Sequence, residues 1–211
     1  MAEPRCKRTA PLAALAGSAA ARQAEWTAAW HRRRAGPSAS GLLALVRGLH
    51  RRNFDLWHTE DQARAPRAPD SRIAAVKRRI DRLNQQRNDL IESFDAALAG
   101  KLEVRRRAPP AAPWNTETPG ACLDRLSILA LKIYHMREQA ERRDASPEHR
   151  ARCAARRALL EQQRADLLAA FQQLLRDLAA GRKQLRLYRQ FKMYNDPALN
   201  PAIYRRVGKG K

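Results

Sequence analysis

Residues 70–98, DSRIAAVKRRIDRLNQQRNDLIESFDAAL, carry Ile73, Val76, Ile80, Leu83, Leu90, Phe94 and Leu98 at steps of three and four. That period puts them on one face of a long helix, a face that must pack against other helices to leave water. Lys77, Asp81, Asn84, Asn88, Glu92 and Asp95 form a neighbouring stripe, one residue along. Asn and Asp are weak helix formers because their side chains compete for backbone hydrogen bonds, so Asn84 and Asn88 in mid-helix need tertiary partners. The stretch predicts a helical protein with a polar seam between its helices.

Pro66 and Pro69 break the chain before this helix and leave a connector short enough to make the flanking helices antiparallel neighbours. Asp70 or Ser71 is the expected N-cap and Gly100 the expected C-cap. Upstream, Ser40 to Arg64 reads as a helix whose inward stripe of Leu42, Val46 and Leu49 turns polar through Asn53, Trp57 and Glu60 or Asp61. Downstream, residues 101–118 read as a long loop with Arg105 to Arg107 and three prolines. Thr118 and Pro119 then start a third helix, apolar on more than one side through Cys122, Leu126, Leu129, Ile133 and Met136. Ser146 and Pro147 open a fourth that Gly181 ends, with Arg157 and Arg164 in step with its leucines.

The expected fold is all-α, an antiparallel four-helix up-down bundle with a basic N-terminal extension and a C-terminal segment folded back on it. Residues 1–40 are expected to be a poorly ordered basic, Ala-rich extension, with a short helix over 22–34 around Trp26 and Trp30. Residues 41–204 are expected to be a single bundle domain and 205–211 a flexible basic tail.

A chain of 211 residues can bury a substantial core. No segment has the roughly 18 uninterrupted apolar residues that a membrane helix needs, so no span is expected. Cys6, Cys122 and Cys153 are odd in number and far apart, which argues against a disulfide framework and for a reducing, cytoplasmic setting. The Ala/Leu run from Ala10 to Ala21 is weakly apolar for an export signal. The net charge of +21 gathers at the ends, with nine basic residues and one acidic over 182–211. Nucleic-acid binding is possible on that ground but not favoured, because affinity from basic tails alone is non-specific.

The chemistry-bearing residues lie on or beside core-facing stripes: Asn53, Glu60, Asp61, Asp81, Asn84, Arg87, Asn88, Asp124 and Arg164. Buried, each costs several kcal/mol unless paired, so they must meet one another, water or a ligand. His58, Glu60 and Asp124 are the candidates for acid–base chemistry, His58 because its ordinary pKa lies near neutrality. The block from Tyr188 to Pro197 alternates aromatic and polar residues and is expected to fold back. There Tyr188, Phe191 and Tyr194 would cover an open end, or Arg189, Lys192 and Asn195 would close over a ligand. No Gly-rich phosphate loop, Glu-x-x-His pair or run of clustered Cys and His is present, so no metal site is expected and no cofactor is indicated.

Four blocks, LWHTED (56–61), IDRLNQQRND (80–89), NTETPGACLDRLSILALKIYHM (115–136) and YRQFKMYNDPALNPAIY (188–204), together resemble a bacterial family of helical proteins designated a domain of unknown function. The resemblance spans residues 45–204. It implies a bacterial, cytoplasmic protein, some of whose relatives are encoded near envelope-polysaccharide glycosyltransferases, and it supplies no catalytic assignment. Cys122 stands where the block is expected to carry a small hydroxyl residue, which argues against thiol chemistry.

Three functions remain open. A small anionic ligand, a phosphorylated sugar or a nucleotide, would sit in an open seam. A protein partner would go with a sealed seam and an exposed apolar patch. A nucleic-acid binder would gather its basic clusters on one face.

Overall fold

The computed structural model describes residues 6–102, 109–193 and 196–201, and these form five helices: α1 (Cys6–His31), α2 (Leu42–Ala63), α3 (Asp70–Lys101), α4 (Pro119–Glu141) and α5 (Pro147–Ala179). The helix starts that sequence chemistry specifies best are those of α4 and α5. Thr118 and Ser146 are N-caps whose side chains accept from the N–H of Ala121 and His149, each at 3.2 Å, with proline just inside the helix. α5 ends in a Schellman motif. Gly181 adopts φ +71°, its N–H donates to Leu178 O at 3.1 Å, and the N–H of Arg182 reaches Asp177 O at 2.8 Å.

α3 departs from expectation at both ends. Pro69 holds the N-cap position without a side-chain bond, and Asp70 supplies negative charge to the first turn, where the helix dipole favours it. Gly100 stays inside the helix, because Leu102 keeps an α-helical backbone and donates its N–H to Leu98 O at 2.9 Å.

The fold has a fifth helix, over 6–31, where a poorly ordered extension with only a short helix over 22–34 is expected. α1 runs for 26 residues and packs against α2, α4 and α5, burying Ala16, Ala19, Ala20, Trp26 and Trp30. Small alanines let this helix approach closely, and the two indoles fill the space between it and α2. The link from α1 to α2 doubles back along α1. Trp26 Nε1 donates to Pro37 O at 2.8 Å and Trp30 Nε1 to Ala35 O at 3.2 Å. Gly36, at φ +71°, passes so close that a Cβ there would lie 2.9 Å from the Trp26 ring.

Because the link doubles back, α1 and α2 run side by side in the same direction, with Thr27 beside His50 and His31 beside His58. This pair therefore departs from the alternating directions of an up-down bundle. α4 is central and contacts all four other helices. The core joins Val46, Leu49, Phe94, Leu98, Leu123, Leu126, Phe171 and Leu175 around it. Among the described residues no helix is long and apolar enough to cross a membrane.

Candidate functional site

Asp124 is the centre of the predicted seam, and the fold gives it partners from two other helices. Arg87 on α3 grips it with two nitrogens, Nε at 2.7 Å from Oδ1 and Nη2 on Oδ2. Asn53 on α2 donates Nδ2 to the same Oδ1 at 2.8 Å and to Ser127 Oγ at 3.0 Å. Hydrogen bonding to Asp124 holds the Arg87 guanidinium above its ordinary pKa, against the opposing effect of burial. Arg87 also touches Asn84 Oδ1 at 3.5 Å.

The chain continues inward through residues the sequence did not single out. Ser127 Oγ lies 2.7 Å from His50 Nδ1, His50 Nε2 lies 2.8 Å from Thr27 Oγ1, and Thr27 donates to Gln23 O at 2.8 Å. Gln23 Nε2 in turn donates to Leu123 O at 3.1 Å. One proton arrangement uses every bond. Asn53 donates to Ser127, Ser127 to His50 Nδ1, and His50 Nε2–H to Thr27, whose own hydroxyl goes to Gln23 O. His50 is then a neutral imidazole, as its complete burial requires.

Burial pulls the His50 pKa down to about 3 from 6.5. The unfolded chain takes this proton near pH 6.5 and the folded chain does not until about 3, so the unfolded state binds more protons in that window. Stability is expected to be full above pH 7 and to fall by up to about 1.4 kcal/mol per unit between pH 6 and pH 4. Urea denaturation at pH 7, 6 and 5 measures the slope, and His50→Gln is expected to reduce it to the share that His31 and His58 contribute.

Asp95 performs a second buried task. Its Oδ1 accepts the Gly120 N–H at 2.6 Å, capping α4 from α3. Burial raises the Asp95 pKa, and hydrogen bonds from Thr118 and Gly120 partly offset that. A Cβ at Gly120 would lie 2.7 Å from Ile91 O and 3.0 Å from the Asp95 oxygens, so only glycine allows this approach.

The other predicted site residues do not join Asp124. Arg164 sits on α5, where Nη2 donates to Ala20 O and burial lowers its pKa. Asp61 is exposed, and Asn88 is half-buried. Glu60 pairs with Arg64 and Lys77 with Asp81, beside a solvent-open groove of about 580 Å³ between α2 and α3 that Asn84 also lines. Asn195, Tyr194 and Arg105 to Arg107 lie outside the described residues.

The C-terminal strap does fold back, by its backbone rather than its aromatics. Gln184 exchanges bonds with Pro113 O at 3.0 Å and the Asn115 N–H at 3.3 Å, and Glu92 receives both Arg189 Nη1 and the Gln190 N–H at 2.8 Å. Burial alone would raise the Glu92 pKa, but these two bonds hold it below its ordinary value. Tyr188 and Phe191, expected to cover an open end, are instead exposed, and Lys192 is half-buried. Burial pushes the Cys122 thiol up to about 12, which removes it as a nucleophile.

His58 proves to have neighbours that linear spacing hides. Its ring lies 5.1 Å from that of His31 on α1 and 5.5 Å from that of His135 on α4, measured between centroids. Each histidine offers a ring nitrogen, and the three nitrogens lie within 4.8 Å of one another. A sequence without clustered histidines thus folds into a histidine cluster. Desolvation lowers the pKa of both His31 and His58, and the neighbouring imidazoles lower it further.

No curated protein and no solved structure matches the chain. The model of the family described as "Protein of unknown function (DUF4254)" matches residues 43–187, from the start of α2 into the strap after α5, and the chain belongs to that family.

Proposed function

We propose that the protein is a docking partner for an acidic, partly apolar face on another protein, and that its polar chain fixes helix register rather than holding a ligand. The carrying observation is where apolar side chains remain in water. Of the seven large ones exposed among the described residues, Leu187, Tyr188, Phe191, Met193 and Leu199 lie on the C-terminal segment and Trp114 lies opposite it, leaving only Leu159 on a helix. Exposed apolar groups gathered in one region mark interaction surfaces.

Basic residues alternate with these groups, but several are already engaged. Arg189 is held by Glu92, Arg182 by Asp177, Lys183 by Asn115, and Arg186 lies over the Trp114 ring at 4.3 Å. Arg189 and Arg182 are neutralised within the chain and so are not free for a nucleic-acid backbone, whereas Lys183, on a neutral amide, and Arg186, on a neutral ring, keep their charge for the carboxylates of a protein face. A small anionic ligand fares worse in the groove between α2 and α3. Its one lysine, Lys77, is paired with Asp81, and Glu60 adds a second carboxylate. The family resemblance makes an envelope-polysaccharide glycosyltransferase the first partner to try.

A photo-crosslinking residue placed at 191, in cells that make the protein natively, tests this reading. The expected result is one discrete protein adduct, absent when the crosslinker stands at 159 and weakened at high salt. Phe191→Ala is then expected to weaken binding of that partner at least tenfold while leaving stability within about 0.5 kcal/mol. Nucleic-acid adducts, or no protein adduct, would overturn it.

A further inference from the structure

Packing accounts for the burial of His31, His58 and His135 but not for their unused nitrogens. His31 stacks on Tyr134 at 4.0 Å, His135 on Trp57 at 4.8 Å, and His58 meets the Phe54 ring edge-on at 4.5 Å. Yet Nε2 of all three is buried without a hydrogen-bond partner. An unsatisfied buried polar atom costs about 1–3 kcal/mol, and three at one place point to a missing common partner.

We propose that His31, His58 and His135 bind one zinc ion, leaving its fourth coordination position open to water or an outside ligand. The far nitrogens are arranged as metal-bound imidazoles require. His31 Nδ1 lies 2.8 Å from Thr27 O, which accepts its proton, and His135 Nδ1 lies 2.7 Å from Glu138 Oε2. Each bond fixes the tautomer that leaves Nε2 as a free lone pair, and the carboxylate raises the basicity of the ring it holds. The three rings are mutually inclined at 71–77°, a propeller about a common point.

The spacing fits a small inward movement. Zinc–nitrogen bonds of about 2.0–2.1 Å at tetrahedral angles need nitrogens about 3.3 Å apart. From within 4.8 Å, each nitrogen closes by less than about 1 Å. Three neutral imidazoles suit zinc and exclude magnesium or calcium, which prefer oxygen. His31 lies in the last turn of α1, where the helix dipole favours a cation, and Asp61 and Glu138 add negative charge nearby. This site is independent of the docking surface, since none of its residues lies on the strap.

Zinc titration of the untagged, chelator-treated full chain, followed by calorimetry, tests the proposal. One zinc per chain is expected, with a raised melting temperature. His58→Ala and His135→Ala are each expected to abolish stoichiometric binding, and Glu138→Gln to weaken it 10- to 100-fold. His149→Ala is expected to change nothing; His149 faces Cys153 at 3.4 Å on α5 and is the alternative place for a metal. Cobalt(II) bound to the unmodified protein is expected to give a tetrahedral visible spectrum, a readout that does not depend on any variant folding. Failure of the unmodified chain to bind zinc, retained affinity in both histidine variants, or loss of binding in His149→Ala would overturn the proposal.

Discussion

Trp26→Ala is expected to cost about 3–5 kcal/mol of stability, the range for truncating a fully buried large aromatic. Trp26 has no exposed surface, stacks on Trp30 at 6.3 Å between centroids, and ties down the returning link through Pro37. Its loss opens a cavity beside His50, whose ring centroid is 6.3 Å away, and frees the Pro37 carbonyl at the same time. Urea denaturation monitored by circular dichroism measures the change. A cost below about 1 kcal/mol would mean that α1 is dispensable to the core.

The burial of α1 differs from the poorly ordered extension expected over residues 1–40, and the reason is physical. Helix periodicity is legible when large apolar side chains recur, as they do across residues 73–98. α1 packs mainly through Ala16, Ala19 and Ala20, whose contribution is close approach rather than a strong apolar stripe. Trp26 and Trp30, at a spacing of four, are its largest buried side chains, and Leu12 and Leu15 are only partly buried. The starts of α4 and α5 were legible because Thr-Pro and Ser-Pro state their chemistry locally. Gly100 was misleading because glycine permits a helix to end without compelling it.

Asp124→Ala is expected to cost about 3 kcal/mol, the low end for removing one member of a buried ion pair. The Asp124 side chain is 7% exposed but Arg87 keeps 26% of its own in water, which softens the penalty of the guanidinium left behind. Asn53 loses one acceptor as well. Asp124→Asn is expected to cost less, since an amide oxygen in the Oδ1 position can still accept from both Arg87 Nε and Asn53 Nδ2, and only the Arg87 Nη2 bond is lost. Thermal and chemical melts of both variants check the order.

The seam itself was half legible. Asn53, Arg87 and Asp124 stood out because each interrupts a core-facing stripe with a group that must find a partner. The inner half was not, because Thr27, His50 and Ser127 are small or ambiguous residues whose roles exist only once α1, α2 and α4 are brought together. The histidine cluster was hidden for the same reason: its members stand 27 and 77 positions apart in sequence, and α1 contributes the first from outside the span that the family model matches. Arg164 misled in the opposite way. It shares the periodicity of the core leucines of α5, yet that face meets α1 rather than Asp124.

A register-fixing role for the polar chain requires that Arg87 and Asp124 satisfy each other and need no outside ligand. The most direct measurement is the coupling energy between Arg87 and Asp124, from the denaturation of Arg87→Met, Asp124→Leu and the double variant without added ligand. A closed buried pair predicts that each single change destabilises while the double change recovers much of the loss, with a coupling of about 2 kcal/mol or more. Additive effects within about 0.5 kcal/mol would contradict it, showing two groups that water already separates.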